Sequence, residues 1–240
     1  MKCLALESSS MVAGAALMEE DWLVGEIRNH YKKNHSVRLL PMMDQLLTSC
    51  ECTLREVDFF AANIGPGSFT GIRIGVGTVK GLAQALHKPV VSVNSLEALA
   101  VQTPHFPGWC TPMIDAQKNL IYTAAYTFHH GERLIHQQPD VFHILEWLDM
   151  LKKSGVSMLF SGDAAEMHRQ RITEYLGKQA HFATALHRMP AASAVAQCAM
   201  EKAKEKGLIS PKEMVPLYLR TSQAERAWKQ KKMEEKGSES

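Results

Sequence analysis

The stretch "NIGPGSFTGIRIGVGTVKGLA", residues 63–83, decides how the chain is read. It holds six glycines in 21 positions and follows an apolar run, residues 57–62, that reads as a buried strand. Behind it, residues 70–87 have the pattern of a helix. A glycine-rich turn between strand and helix is where free N–H groups point outward and can hold a phosphate. The Walker spacing fails, because no Lys-Ser or Lys-Thr pair follows Gly65. The dinucleotide spacing fails as well, because Thr70 stands where the third glycine belongs. Ser68 and Thr70 offer hydroxyls and Arg73 is the nearest cation. The turn Gly65, Pro66, Gly67, Ser68, Phe69, Thr70, Gly71 with Arg73 therefore stays open between an anion contact and a tight turn with an N-cap.

The helix behind the turn carries a second message. On a wheel at about 100° per residue, Ile72, Val76, Val79, Ala83 and Leu86 form the natural core face, with Gly75 at its margin. Gly77, Gly81 and Ala85 fall opposite, with Ile74 beside them. An interior glycine costs a helix about 1 kcal/mol against alanine, so two of them four apart need a use. A small-residue strip lets another backbone come close, either an internal helix or another subunit. Arg73 and Lys80 share a third face, which reads as solvated.

Working outward, residues 2–7, 12–18 and 22–31 read as three antiparallel strands joined by short polar links. Ser36 is placed to cap a helix reaching residue 49, whose apolar set is Leu39, Leu40, Met43, Leu46 and Leu47; Pro41 implies a later start or a kink. A short strand at 90–93 and a helix at 95–102, with capping-box spacing from Asn94 to Glu97, close the first half. Two prolines and a glycine within residues 103–108 mark a hinge. Strands are then predicted at 111–115, 120–128 and 132–138, the last ended by Pro139. A helix at 144–153, a strand at 156–160 and helices at 164–176 and 191–206 follow. Element order thus implies an α/β fold, a possible duplication, with one unit at 1–103, a second at 104–222 and a mixed-charge tail at 223–240.

With 240 residues, 45% hydrophobic and 22% charged, the chain can bury a sizeable core. A net charge of +2 gives no broad field for nucleic acid. Five scattered cysteines, with no C-x-x-C pair, indicate neither a zinc ribbon nor a disulfide framework and suit a cytoplasmic protein. The apolar start is too short for a signal peptide, and no run approaches a membrane span.

No catalytic motif appears. There is no H-E-x-x-H and no G-x-S-x-G, and the eleven histidines are dispersed. A nucleotide-splitting enzyme with this strand order would carry an acid, a glycine and a hydroxyl in its first turn. Here that turn is Glu7-Ser8-Ser9-Ser10. The matching turn of the second half is Asp115-Ala116-Gln117-Lys118, whose Asp115 suits a turn cap or a metal. The shape of a nucleotide-handling enzyme without its reactive groups points to a scaffold or activating subunit.

The segments "HSVRLLPMMDQLL", "NIGPGSFTGIRIGVGTVKGLAQAL", "PVVSVNSLEALA", "DAQKNLIYTAAY" and "PLYLR" together resemble the TsaB (YeaZ) family of bacterial tRNA threonylcarbamoyladenosine biosynthesis proteins. The resemblance runs from residue 2 to about 220. It implies two related actin-like/sugar-kinase-like (ASKHA) domains with mixed sheets and flanking helices. It implies a non-catalytic relative of TsaD, the transferase that modifies the adenosine at position 37 of tRNAs reading ANN codons. The implied partners are a TsaD-like transferase and a TsaE-like ATPase, with a homodimer when the chain is alone, tRNA reached only through the complex, and no membrane. No cofactor is implied for the isolated chain; ATP/ADP and a metal belong to the assembled complex.

Carried over by position, the pairing surface falls on Leu39, Met42 and Leu46 of the first helix and on Ile74, Gly77, Gly81 and Ala85 of the second. No metal ligand or catalytic residue is carried over: of a histidine pair seen in TsaD the chain keeps His35, with Leu39 at the other position. Two turns depart from the family, Glu7-Ser8-Ser9 for its usual Asp-Thr-Ser and Gln117 for its usual Arg. The alternative reading is a stand-alone ATPase or glycoprotease-like enzyme. A direct tRNA-binding module is a third, for which the sequence offers no basic stripe with aromatics.

Overall fold

The computed structural model describes residues 1–30, 35–129 and 132–219, and within them the side chains of residues 35–37 are left aside. The first half builds β1 (Lys2–Glu7), β2 (Val12–Glu19), β3 (Trp22–His30), α1 (His35–Ser49), β4 (Phe59–Gly65), α2 (Phe69–Leu86), β5 (Val90–Asn94) and α3 (Ser95–Ala100). The second builds β6 (Trp109–Asp115), β7 (Leu120–His129), β8 (Glu132–His143), α4 (Ile144–Ser154), β9 (Met158–Ser161), α5 (Asp163–Met167), α6 (Arg169–Leu176), β10 (Ala180–Phe182) and α7 (Ala192–Lys204).

The strands form two five-stranded sheets, ordered β3-β2-β1-β4-β5 and β8-β7-β6-β9-β10. These are the same arrangement twice: an antiparallel meander whose first strand pairs in parallel with a strand returning behind a helix. The duplication implied by element order is therefore present in the topology. Parallel strands in the middle of a sheet are covered on both faces, so they read as continuous apolar runs. β4, FFAANIG, is such a strand. Its Phe60 and Ala62 join Leu4, Leu6, Leu39 and Ile72 in one core layer. Its Phe59 and Ala61 join Cys3, Ala5 and the alanines of α7 in the other.

That second layer corrects the grouping of residues. α7 lies in the second half of the sequence yet packs on the first sheet, with Ala192, Val195, Ala196 and Ala199 fully buried. The first sheet has α1 and α2 on one face only, and an alanine-rich helix can lie close on the other. The chain then runs back along α2: Ile209 forms an antiparallel bridge with Val90, and Met214 is fully buried in the first half's core. Residues 192–218, expected with the second unit, thus complete the first sheet.

Three smaller differences have local causes. β8 continues through Pro139 to His143, because it is an edge strand and the register shifts around Ala125, where a missing N–H is tolerated. The helix expected at 164–176 is two helices separated by His168 at φ −104°, ψ 13°, a break that no glycine or proline announces. β10 has three residues and is too short for periodicity to reveal. The tail at 223–240 lies outside the described residues.

Candidate functional site

Three of the six glycines, Gly67, Gly71 and Gly75, are explained by the first hairpin, and Gly65 by its backbone and by the Leu217 carbonyl. Gly65 and Gly67 have φ of +110° and +152°, which an L side chain rarely adopts. A Cβ on Gly67 would run into the carbonyl oxygen of Ser9, and one on Gly71 into that of Ser8. A Cβ on Gly75 would overlap the Ser8 hydroxyl. The hairpin turn after β1 is seated against the start of α2, and the seat is made of bare backbone.

The hydrogen bonds say the same. Ser68 N–H donates to the Ser9 carbonyl (2.7 Å), and Ser8 Oγ donates to the Gly71 carbonyl (2.8 Å). Ser68 Oγ caps the helix by accepting from Gly71 N–H (3.2 Å). A backbone carbonyl therefore takes one of the amides that an anion would need at this helix end. Arg73 is turned away: its Nε donates to the Tyr218 hydroxyl (3.0 Å) and its guanidinium lies 3.9 Å over the Phe69 ring. Tyr218 stacks on Phe69 with centroids 4.9 Å apart. Thr70 is exposed and Pro66 buried in the same turn.

Glu7, the acid of the first turn, is fully buried. Its Oε1 accepts from Ser9 N–H (2.6 Å) and Ser9 Oγ (2.7 Å), and its Oε2 from Asn63 Nδ2. Asn63 Oδ1 in turn accepts from Ser95 Oγ (2.6 Å) and Gly65 N–H (3.0 Å). Burial pushes the Glu7 carboxyl above its ordinary range, against the opposing effect of the hydrogen bonds from Ser9 and Asn63. In the second half Asp115 caps its turn, accepting from Gln117 N–H (2.8 Å). Asp163 accepts from the amides of Asp115 (3.0 Å) and Ala164 (2.8 Å), and burial raises its carboxyl too. Gly162, at φ +94°, abuts the Met113 carbonyl much as Gly67 and Gly71 abut Ser9 and Ser8. Among the described residues no group of three or more His, Cys, Asp or Glu is arranged to hold a metal.

The candidate pairing residues divide. Leu39 and Leu46 are each 1% exposed and sit in the core with Leu4, Leu6 and Phe60, so they present no surface to a partner. Met42 is 8% exposed. The apolar face of α1 is turned onto the sheet, and its outer side carries Leu40, Pro41, Asp44 and Gln45. On α2 the expected division holds: Ile72, Val76, Val79 and Ala83 are buried, Ile74 is half-buried, and Gly77, Gly81 and Ala85 are exposed. Among the described residues nothing lies within 4 Å of where a Cβ on Gly77 or Gly81 would be.

The third face of α2 is not simply solvated. Lys80 Nζ donates to the Met214 carbonyl (2.8 Å), Leu217 N–H donates to the Ile64 carbonyl (2.8 Å), and Arg73 reaches Tyr218. Both cations of α2 thus tie down the returning segment at 209–218. In the sequence this segment is marked by "PLYLR", a family signature that does not point to the glycine turn.

Comparison with known proteins agrees with this geometry. Residues 24–228 match the family model described as TsaD, tRNA N6-adenosine threonylcarbamoyltransferase. The tRNA threonylcarbamoyladenosine biosynthesis protein TsaB of Bacillus subtilis is 36% identical over 230 residues, 95% of this chain and 98% of its own. Escherichia coli TsaB is 30% identical over 154 residues, 60% of this chain and 65% of its own. The solved structure of YeaZ from Pseudomonas aeruginosa superposes with a TM-score of 0.74 at 25% identity, covering 90% of this chain and 99% of that one. Component A of the Acidaminococcus fermentans (R)-2-hydroxyglutaryl-CoA dehydratase shares the fold at a TM-score of 0.51 and 10% identity, covering 85% and 99%. The two halves with mixed sheets and flanking helices are those of the actin-like/sugar-kinase-like class. With a near-full-length relative above 30% identity and a matching family model, the chain belongs to the TsaB (YeaZ) family of tRNA threonylcarbamoyladenosine biosynthesis proteins, within the wider TsaD family.

Proposed function

We propose that the chain acts in tRNA threonylcarbamoyladenosine biosynthesis as a non-catalytic activating subunit. It pairs with a TsaD-like transferase that forms N6-threonylcarbamoyladenosine at position 37 of tRNAs reading ANN codons, and it pairs with itself when that transferase is absent. A TsaE-like ATPase joins the pair, tRNA is met only through the complex, and ATP/ADP and a metal are held by the assembly in the cytoplasm. The observation that carries this reading is the open face of α2. One side of that helix is core, a second holds residues 209–218, and the third is bare at Gly77 and Gly81. Two glycines that weaken a helix and touch nothing among the described residues are accounted for by a backbone that approaches from outside. The seat of Ser8 and Ser9 on the glycine turn supports the non-catalytic part, since the amide of Ser68 is already bonded within the chain.

Co-purification tests the reading. Gly77→Leu and Gly81→Leu should lose the TsaD-like transferase of the same organism while remaining folded; wild-type yield with both variants refutes the surface. A stand-alone enzyme is the competing reading. It would be restored by ATP hydrolysis from the purified chain that Asp115→Asn abolishes.

A further inference from the structure

Beyond the C-terminal end of α2 lies a groove of about 540 Å³, between that helix end and residues 208–212. Its apolar lining comes from Ala83, Pro89, Leu208, Ile209 and Pro211, and Leu208 is 40% exposed. Its walls are held together, because Val90 and Ile209 exchange both backbone hydrogen bonds (3.0 and 2.9 Å). Among the described residues the charged side chains that line it are Lys88 and Lys212, with His87 beside them and no carboxylate. Among the described residues neither lysine has an ion-pair partner. Glu213, next in sequence, is turned onto the Ser210 amide (2.8 Å).

A helix C-terminus carries about half a negative charge, which opposes an anion. Here the amide of His87 is bonded to Gln84 O and that of Lys88 to Ala83 O, so the last turn is partly satisfied. Two whole positive charges outweigh what is left. Among the described residues the lining has no Phe, Tyr or Trp to stack a nucleobase, and its floor of Ala83, Pro89, Leu208, Ile209 and Pro211 offers no side-chain donor to a phosphate. Apolar floor and basic rim together select a ligand that is aliphatic along its length and acidic at its edges.

We propose that this groove docks an acidic, aliphatic segment of a partner protein, with its leucine-like side chains on Pro89, Leu208 and Ile209 and its carboxylates on Lys88 and Lys212. The proposal does not depend on pairing through Gly77 and Gly81. The test is fluorescence anisotropy on the full chain with a labelled peptide alternating glutamate and leucine. Binding should weaken with salt. It should fall about tenfold or more in the Lys88→Glu/Lys212→Glu double variant, from the sum of two reversed rim charges. It should persist in Gly77→Leu, and be absent for peptides with lysine for glutamate or serine for leucine. No binding of the acidic peptide, equal binding by the double variant, or loss in Gly77→Leu would overturn the assignment. So would displacement by decanoate or by oligoadenylate at comparable concentration, which would read the groove as a fatty-acid or RNA site.

Discussion

Glycines of one helix should respond to substitution with opposite signs. At Gly77 the Cβ position is empty to 4 Å among the described residues, so a side chain can be added there without a clash at its root. Glycine costs a helix interior about 1 kcal/mol against alanine and leucine is nearly as good as alanine, so Gly77→Leu should stabilise the monomer by roughly 0.5–1 kcal/mol. In a pair, the same leucine fills the space that a neighbouring backbone would use. Overpacking costs about 1–3 kcal/mol per site, which weakens association roughly 5- to 150-fold. Gly71 sits six residues earlier, and a Cβ there overlaps the Ser8 carbonyl oxygen. The propensity gain at Gly71→Ala is then reversed by displacement of the hairpin turn and strain on the Ser8 Oγ–Gly71 bond, for a net loss of about 1 kcal/mol or more. Urea unfolding at low protein concentration measures the first effect and sedimentation equilibrium the second. A destabilised Gly77→Leu monomer, or a Gly71→Ala variant as stable as the parent, refutes the packing argument. Unchanged association of Gly77→Leu refutes the surface.

Leu46→Ala should destabilise the fold by about 2–5 kcal/mol in urea, since its side chain is core, and weaker pairing without that loss would show it to be a contact residue after all. Glu7→Gln should change the pH dependence. Because the native Glu7 carboxyl titrates above its unfolded value, it adds stability below the ordinary carboxylate pKa of about 4.3 and loses it as pH rises through the native value. The urea midpoint of the parent, minus that of Glu7→Gln, should therefore fall with rising pH; a flat or rising difference contradicts the buried, proton-binding acid. Native thiol labelling should be fast only at Cys50, which is half-buried. Cys3, Cys52, Cys110 and Cys198 are buried, and burial pushes the Cys198 thiol up to about 12. Rapid labelling of Cys198 in the folded chain would show that α7 does not stay on the sheet.

Much of this was legible in the sequence because periodicity reports burial. The core face of α2, the run at β4 and the repeated element order all follow from which residues must leave water. The same rule misplaced Leu39 and Leu46, for an apolar helical face does not say whether the sheet or a partner covers it. The glycines mixed two causes in one motif: Gly67, Gly71 and Gly75 make room for Ser8 and Ser9, about 60 residues away, while Gly77 and Gly81 make room for nothing among the described residues. No local pattern separates those. Arg73 and Lys80 read as solvated because their partners, Tyr218 and the Met214 carbonyl, come from the far end of the chain.

The return of α7 to the first sheet has a consequence for synthesis. About 100 residues separate β5 from α7, so at 5–20 residues per second a nascent chain leaves one face of its first sheet largely uncovered, with only α3 on it, for roughly 5–20 s. The amino-terminal half emerges from the ribosome first and is finished last. Shortening the gene from its 3′ end should therefore unmake the half that was translated earliest.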